Sequence, residues 1–220
     1  MTDTGNVLYV TWAVMAVVIA FAAYVRLTLR RDGPGKAQQL VEAVLDWLGG
    51  ETQAIVGRPP EPFIPLIATL FIFILVSNLG SFITTFIPGA APPTADIHTT
   101  AALATVVFFA VPFYGIALTG LRNYLKTYVQ PTWIMLPFNI ISDLSRTLAL
   151  AVRLFGNIVS GEIVFGVVLL IVPLLVPILL MFLSLITGTI QAYIFAVLTI
   201  VYIGGAVRVV EKHTVEETEQ

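Results

Sequence analysis

Between Glu162 and Arg208 the chain runs for 45 residues, Ile163 to Val207, without a charged side chain. As one helix this run would be roughly 68 Å long at about 1.5 Å per residue, over twice the ~30 Å of a bilayer's hydrocarbon core. It belongs in lipid and is too long for one crossing, so the chain has to turn back. Pro173 and Pro177 mark the turning point, because proline cannot continue a helix through its interior. The two arms, about Pro137 to Val172 and Pro177 to Val210, each exceed what a perpendicular crossing needs. They are expected to tilt strongly or to lie partly along the membrane.

The rest of the chain agrees with this reading, at 58% hydrophobic and 11% charged residues and a mean hydropathy of +0.95. A charge-free stretch from Thr4 to Val25 supports a first span at about Val7 to Val25. Ala20-Phe21-Ala22 imitates a cleavage site, but no Lys or Arg precedes it, so a retained helix is expected. After Arg26, Arg30, Arg31 and Lys36, the stretch "KAQQLVEAVLDWL" sets Leu40, Val44, Trp47 and Leu48 on one side, as in a helix lying at a membrane surface. Gly49-Gly50 is expected to end it. Phe63 to Phe86 reads as a second span, "PGAAPPTAD" as an external loop, Ala101 to Leu121 as a third span, and Arg122 and Lys126 as a short polar connection. The expected fold class is an all-α integral membrane protein of about five hydrophobic passes plus an interfacial amphipathic helix, its last two helices forming a long, strongly tilted hairpin. Residues 1–220 are expected to form one membrane domain: 1–31 the first span, 36–60 the surface helix and loop, 62–121 the second and third spans, 122–210 the hairpin, and 211–220 a cytoplasmic tail.

Lys and Arg concentrate in residues 26–62, 122–136 and 208–220 and are absent from the N-terminal tail, the 87–98 loop and the 173–177 turn. The positive-inside rule then puts the N-terminus outside and the C-terminus in the cytoplasm. Only Arg146 and Arg153 are left over. A net charge of −2 gives no reason to expect nucleic-acid binding, and the absence of cysteine removes disulfide and thiol chemistry. His98 and His213 are far apart, with no HExxH pattern, so neither a metal nor a cofactor is expected. With no GxxxxGK[ST] loop and no soluble domain, the chain is not expected to carry out nucleotide chemistry itself.

An arginine at mid-membrane costs at least ~2.5–3.5 kcal/mol on insertion scales, so it needs a partner, water or a function. On a helix, Arg146, Asn157 and Ser160 fall within about 40° of Arg153, whereas Glu162 lies about 180° away. An intrahelical Arg153–Glu162 salt bridge is therefore not expected. Ser184, Thr187 and Gln191, spaced three and four apart, make a second polar stripe, with Tyr202 further along. Plainer readings stand beside these. Asp143 and Arg146 are spaced as a local structural pair, and Ser184 and Thr187 are suited equally to packing or back-bonding. Asp96 and His98 are either solvated loop residues or channel lining, and Asn78 is either helix–helix glue or part of a pathway.

"PFNIISDLSRTLALAVRLFGNIVSGEIVF" followed by "GTIQAYIFAVLTIVYI" resembles the a subunit of the F-type ATP synthase membrane sector. "PTADIHTTAALA" fits the same family's external loop and next helix. The resemblance covers about Pro62 to Gly205. It implies a bacterial-type inner-membrane stator beside a rotating c-ring, held by peripheral stalk b subunits in the lipid bilayer, that passes H+ or Na+ through two half-channels to and from ring carboxylates. It puts the family's essential arginine on Arg153, its asparagine on Asn157, its channel glutamate on Glu162 and its last-helix glutamine on Gln191. Ser160, Ser184, Thr187, Asp96, His98, Asn78, Asp143 and Tyr202 are candidate half-channel lining. One position departs: some bacterial members carry a histidine where this chain has Ser184, so water or another polar group must serve Glu162 instead. The rival readings are a self-contained ion-coupled secondary transporter, which predicts internal repeats that this chain does not display, and a non-transporting scaffold.

Overall fold

In the computed structural model, which describes residues 4–28, 35–84, 91–129, 133–172 and 176–218, every long element is a helix. They are α1 (Thr4–Leu27), α2 (Lys36–Val56), α3 (Ile64–Thr84), α4 (Ile97–Thr119), α5 (Leu121–Val129), α6 (Met135–Ile171) and α7 (Val176–Thr218), with a short 3₁₀ turn at Pro93–Ala95. Among the described residues, five helices are long and apolar enough to cross a membrane: α1, α3, α4, α6 and α7.

The central element is α7, which packs against α2, α3, α4 and α6. Its Ala192, Phe195, Ala196, Ile200, Ile203 and Val207 are fully buried, and they meet Ile67, Phe71 and Ile74 of α3, Val107 of α4, and Leu150 and Leu154 of α6 in one core. The small residues in this series let neighbouring backbones approach, as helix packing in lipid requires. A Cβ on Gly204 would stand 3.5 Å from the Val56 Cα, so α2 and α7 come within backbone contact there. By contrast α1 packs through Val7, Val14 and Val25 and leaves most of its apolar surface exposed.

Four expectations change. First, α2 does not stop at Gly49-Gly50 but continues to Val56 and ends at Gly57, whose φ of 77° is left-handed. Its packed face is accordingly Val44, Leu48, Thr52 and Val56; Leu40 is exposed, and Trp47 stacks on Tyr193 with ring centroids 5.1 Å apart. Second, the connection after the third span contains a helix, α5, pinned where buried Tyr124 covers Gly115; a Cβ on Gly115 would meet its ring at 2.5 Å. Third, the end of the expected external loop is not solvated: Ala91, Pro92, Pro93 and Thr94 are all buried. Fourth, α7 runs past Val210 to Thr218. The expected turn at Pro173 lies outside the described residues, and Pro177 sits in the first turn of α7, a position that needs no proline N–H.

Candidate ion-translocation site

Helices α6 and α7 are antiparallel neighbours, and two contacts set their register. The Asn157 Nδ2 approaches the Thr187 carbonyl at 3.5 Å, and the Ser184 Oγ lies 3.3 Å from where a Cβ on Gly161 would be. One turn back on α6 is Arg153, and one turn on along α7 is Gln191. The same register therefore sets those two at one level, Arg153 exposed and Gln191 buried.

The buried seam of α6 is Leu150, Ala151, Leu154 and Ile158. Arg153 and Glu162 are both exposed, on opposite flanks of that seam. Among the described residues neither has an ion-pair or side-chain hydrogen-bond partner. Asp143 and Arg146 do pair, at 3.7 Å, and the Arg146 guanidinium also lies 5.6 Å from the Tyr202 ring centre, bridging α6 to α7. Beside them is a recess of about 120 Å³ lined by Val107, Phe108, Val111, Pro112, Ile140 and Thr147 as well as by these three. Pro112 brings no N–H, so the Phe108 carbonyl loses its helical donor at this recess. A space of this size is large enough for water and has several polar groups that could hold it.

On the other side of α7, the Asn78 Nδ2 donates to the Gly188 carbonyl at 2.8 Å, and the Thr94 hydroxyl donates to the Asn78 Oδ1 at 2.7 Å. All of this is buried. Thr187 back-bonds to the Leu183 and Ser184 carbonyls, and Ser160 to that of Asn157, so these hydroxyls satisfy themselves locally. Asp96 caps α4, accepting from the His98 N–H at 3.0 Å. His98 is therefore in the first turn of a helix rather than in a loop, and it is exposed.

Residues 8–204 match the profile of the ATP synthase A chain family. The chain belongs to that family. It is 46% identical over 200 residues to ATP synthase subunit a 2 of Acaryochloris marina, covering 90% of this chain and 84% of that one. ATP synthase subunit a 1 of Chlorobium luteolum is 48% identical, over 90% of this chain and 87% of that one. Subunit a 2 of Picosynechococcus is 47% identical, over 92% and 85%. As an ATP synthase A chain with five long apolar helices, this is a multi-pass membrane protein.

Within this ATP synthase A chain, the structure brings Arg153, Asn157, Thr187 and Gln191 to one stretch of the α6–α7 hairpin and sets Asp143, Arg146 and Tyr202 together at another. Asp96 and His98 stand apart at the start of α4. Sequence reading missed Thr94 and Gly188. A lone glycine in an apolar helix signals close approach, and here the approach is that of Asn78; nothing in "PTAD" marked Thr94.

Proposed function

We propose that this chain is the stator a subunit of a rotary F-type ATP synthase, set beside a c-ring and held by peripheral stalk b subunits, and that it supplies two half-channels and the barrier between them. The observation that carries this is the exposed Arg153 guanidinium, free of any ion-pair partner among the described residues, within a 37-residue apolar helix. Lipid is a costly neighbour for that charge, so it calls for a partner bearing negative charge. Mobile carboxylates on a neighbouring ring fit. Guanidinium stays protonated, so it relays no proton, yet it favours the ionised form of each passing acid and so promotes release into the exit path.

Glu162, on the opposite flank, serves one half-channel as an ion-attracting or proton-accessible group. Gln191 and Asn157 support Arg153 from the hairpin. The recess at Asp143, Thr147 and Tyr202 lies on the far side of Arg153 from Glu162 along α6, where a second half-channel would be needed. The N-terminus lies outside and the C-terminus in the cytoplasm. Each elementary charge crossing ~100 mV delivers about 2.3 kcal/mol, so several ions must pass per ATP.

In the intact complex in vesicles, Arg153→Ala should insert and assemble but lose ATP-driven ion uptake. Normal uptake by that variant overturns the proposal. Uptake with and without Na+ reads whether H+ or Na+ is carried.

A further inference from the structure

We infer that Thr94 and Asn78 are positioning residues for the translocation site: their hydrogen-bonded chain to the Gly188 carbonyl sets the rotation of α7 and with it the presentation of Gln191 at the level of Arg153. This rests on the proposed stator reading.

The core contacts that hold α7 are aliphatic and aromatic and bury one face of it, which bounds its rotation; hydrogen bonds to its backbone narrow that further, because they are directional. Among the described residues, the side-chain hydrogen bonds from other helices to the α7 backbone near Gln191 come from two asparagines. Asn78 of α3 donates to the Gly188 carbonyl, and Asn157 of α6 approaches the adjacent Thr187 carbonyl, about 100° around the helix. Together they grip α7 one turn before Gln191. The grip on the α3 side has one workable orientation. A carbonyl only accepts, so the amide nitrogen of Asn78 must face Gly188, and its oxygen then faces Thr94, whose hydroxyl donates to it. Thr94 is fully buried, Asn78 is 2% exposed and Gln191 is 6% exposed. Gly188 is required for the fit, since a Cβ there would stand 3.0 Å from that of Asn78. The chain starts in the buried segment that leads into α4, so a residue outside the hairpin sets the geometry inside it.

The test uses the intact complex in vesicles, with ATP-driven uptake measured per assembled complex. Thr94→Val removes the hydroxyl at constant shape and should slow uptake roughly 3- to 10-fold, the scale of one buried hydrogen bond, while Thr94→Ser should stay within about twofold of the parent. Gly188→Ala pushes Asn78 from the other end and should slow uptake to a similar extent. Because both act through one chain, the double variant should be no slower than the slower single variant. Parent-like uptake in Thr94→Val, or losses that multiply in the double variant, overturns the inference. So does failure of Thr94→Val and Thr94→Ser alike to assemble, which would make the residue a packing element. If Thr94→Val alone fails to assemble, Gly188→Ala decides, and parent-like uptake there overturns the inference. Arg153→Ala, run in parallel, separates the two levels: normal uptake in that variant defeats the stator reading itself.

Discussion

Arg153 and Arg146 are two turns apart on the same side of α6, yet their surroundings differ. Arg146 has Asp143 and the Tyr202 ring, whereas Arg153 has no such partner among the described residues. On the proposed reading, the charge left uncompensated is the one that meets another subunit. Arg153→Lys should therefore lose most pumping although the charge is kept, because an ammonium can deprotonate and lacks the planar fork; ATP-driven uptake in vesicles checks this. Glu162→Gln should slow uptake without abolishing it, and an unchanged rate would return Glu162 to a structural role. Most of this site was legible in the sequence, since a charge in an apolar helix stands out and helical spacing separates Arg153 from Glu162. Thr94 was not, because a threonine in a turn-rich segment looks the same whether it is solvated or buried against Asn78.

At the level of elements, α2 shows where local rules mislead. Gly49-Gly50 reads as a terminator, but α2 packs on α7 and α3, and Leu48, Thr52 and Val56 need the helix to continue so that they face inward. Tertiary burial outweighs the roughly 1 kcal/mol cost of each helical glycine. A Cβ on Gly50 would meet nothing within 4 Å, so Gly50→Ala should stabilise the protein by about 0.5–1 kcal/mol, read as a raised melting temperature in detergent. Gly115→Ala should do the opposite, by about 1–3 kcal/mol, because buried Tyr124 occupies that space. Of the long arms, the second was legible from the charge-free run, whereas the first also needed the apolar stretch that begins at Pro137. Helix α5 was not legible, since its nine residues are shorter than the stretch over which a helical period is read.

For the whole molecule, the distribution of Lys and Arg predicts an outside N-terminus and a cytoplasmic C-terminus. The chain has no cysteine, so Thr2→Cys and Gln220→Cys can each be labelled on a clean background. An impermeant thiol reagent should reach the first only from outside and the second only from the cytoplasmic side. The molecule's central property is that α6 offers a bare cation on one flank and an acid on the other, with the buried seam between them. If Arg153 is the barrier between two water paths, passive flux is the most direct reading of it. With ring rotation blocked and a potential imposed across the vesicle membrane, the parent complex should be tight to the carried ion and Arg153→Ala should leak. A variant as tight as its parent under those conditions would contradict the account.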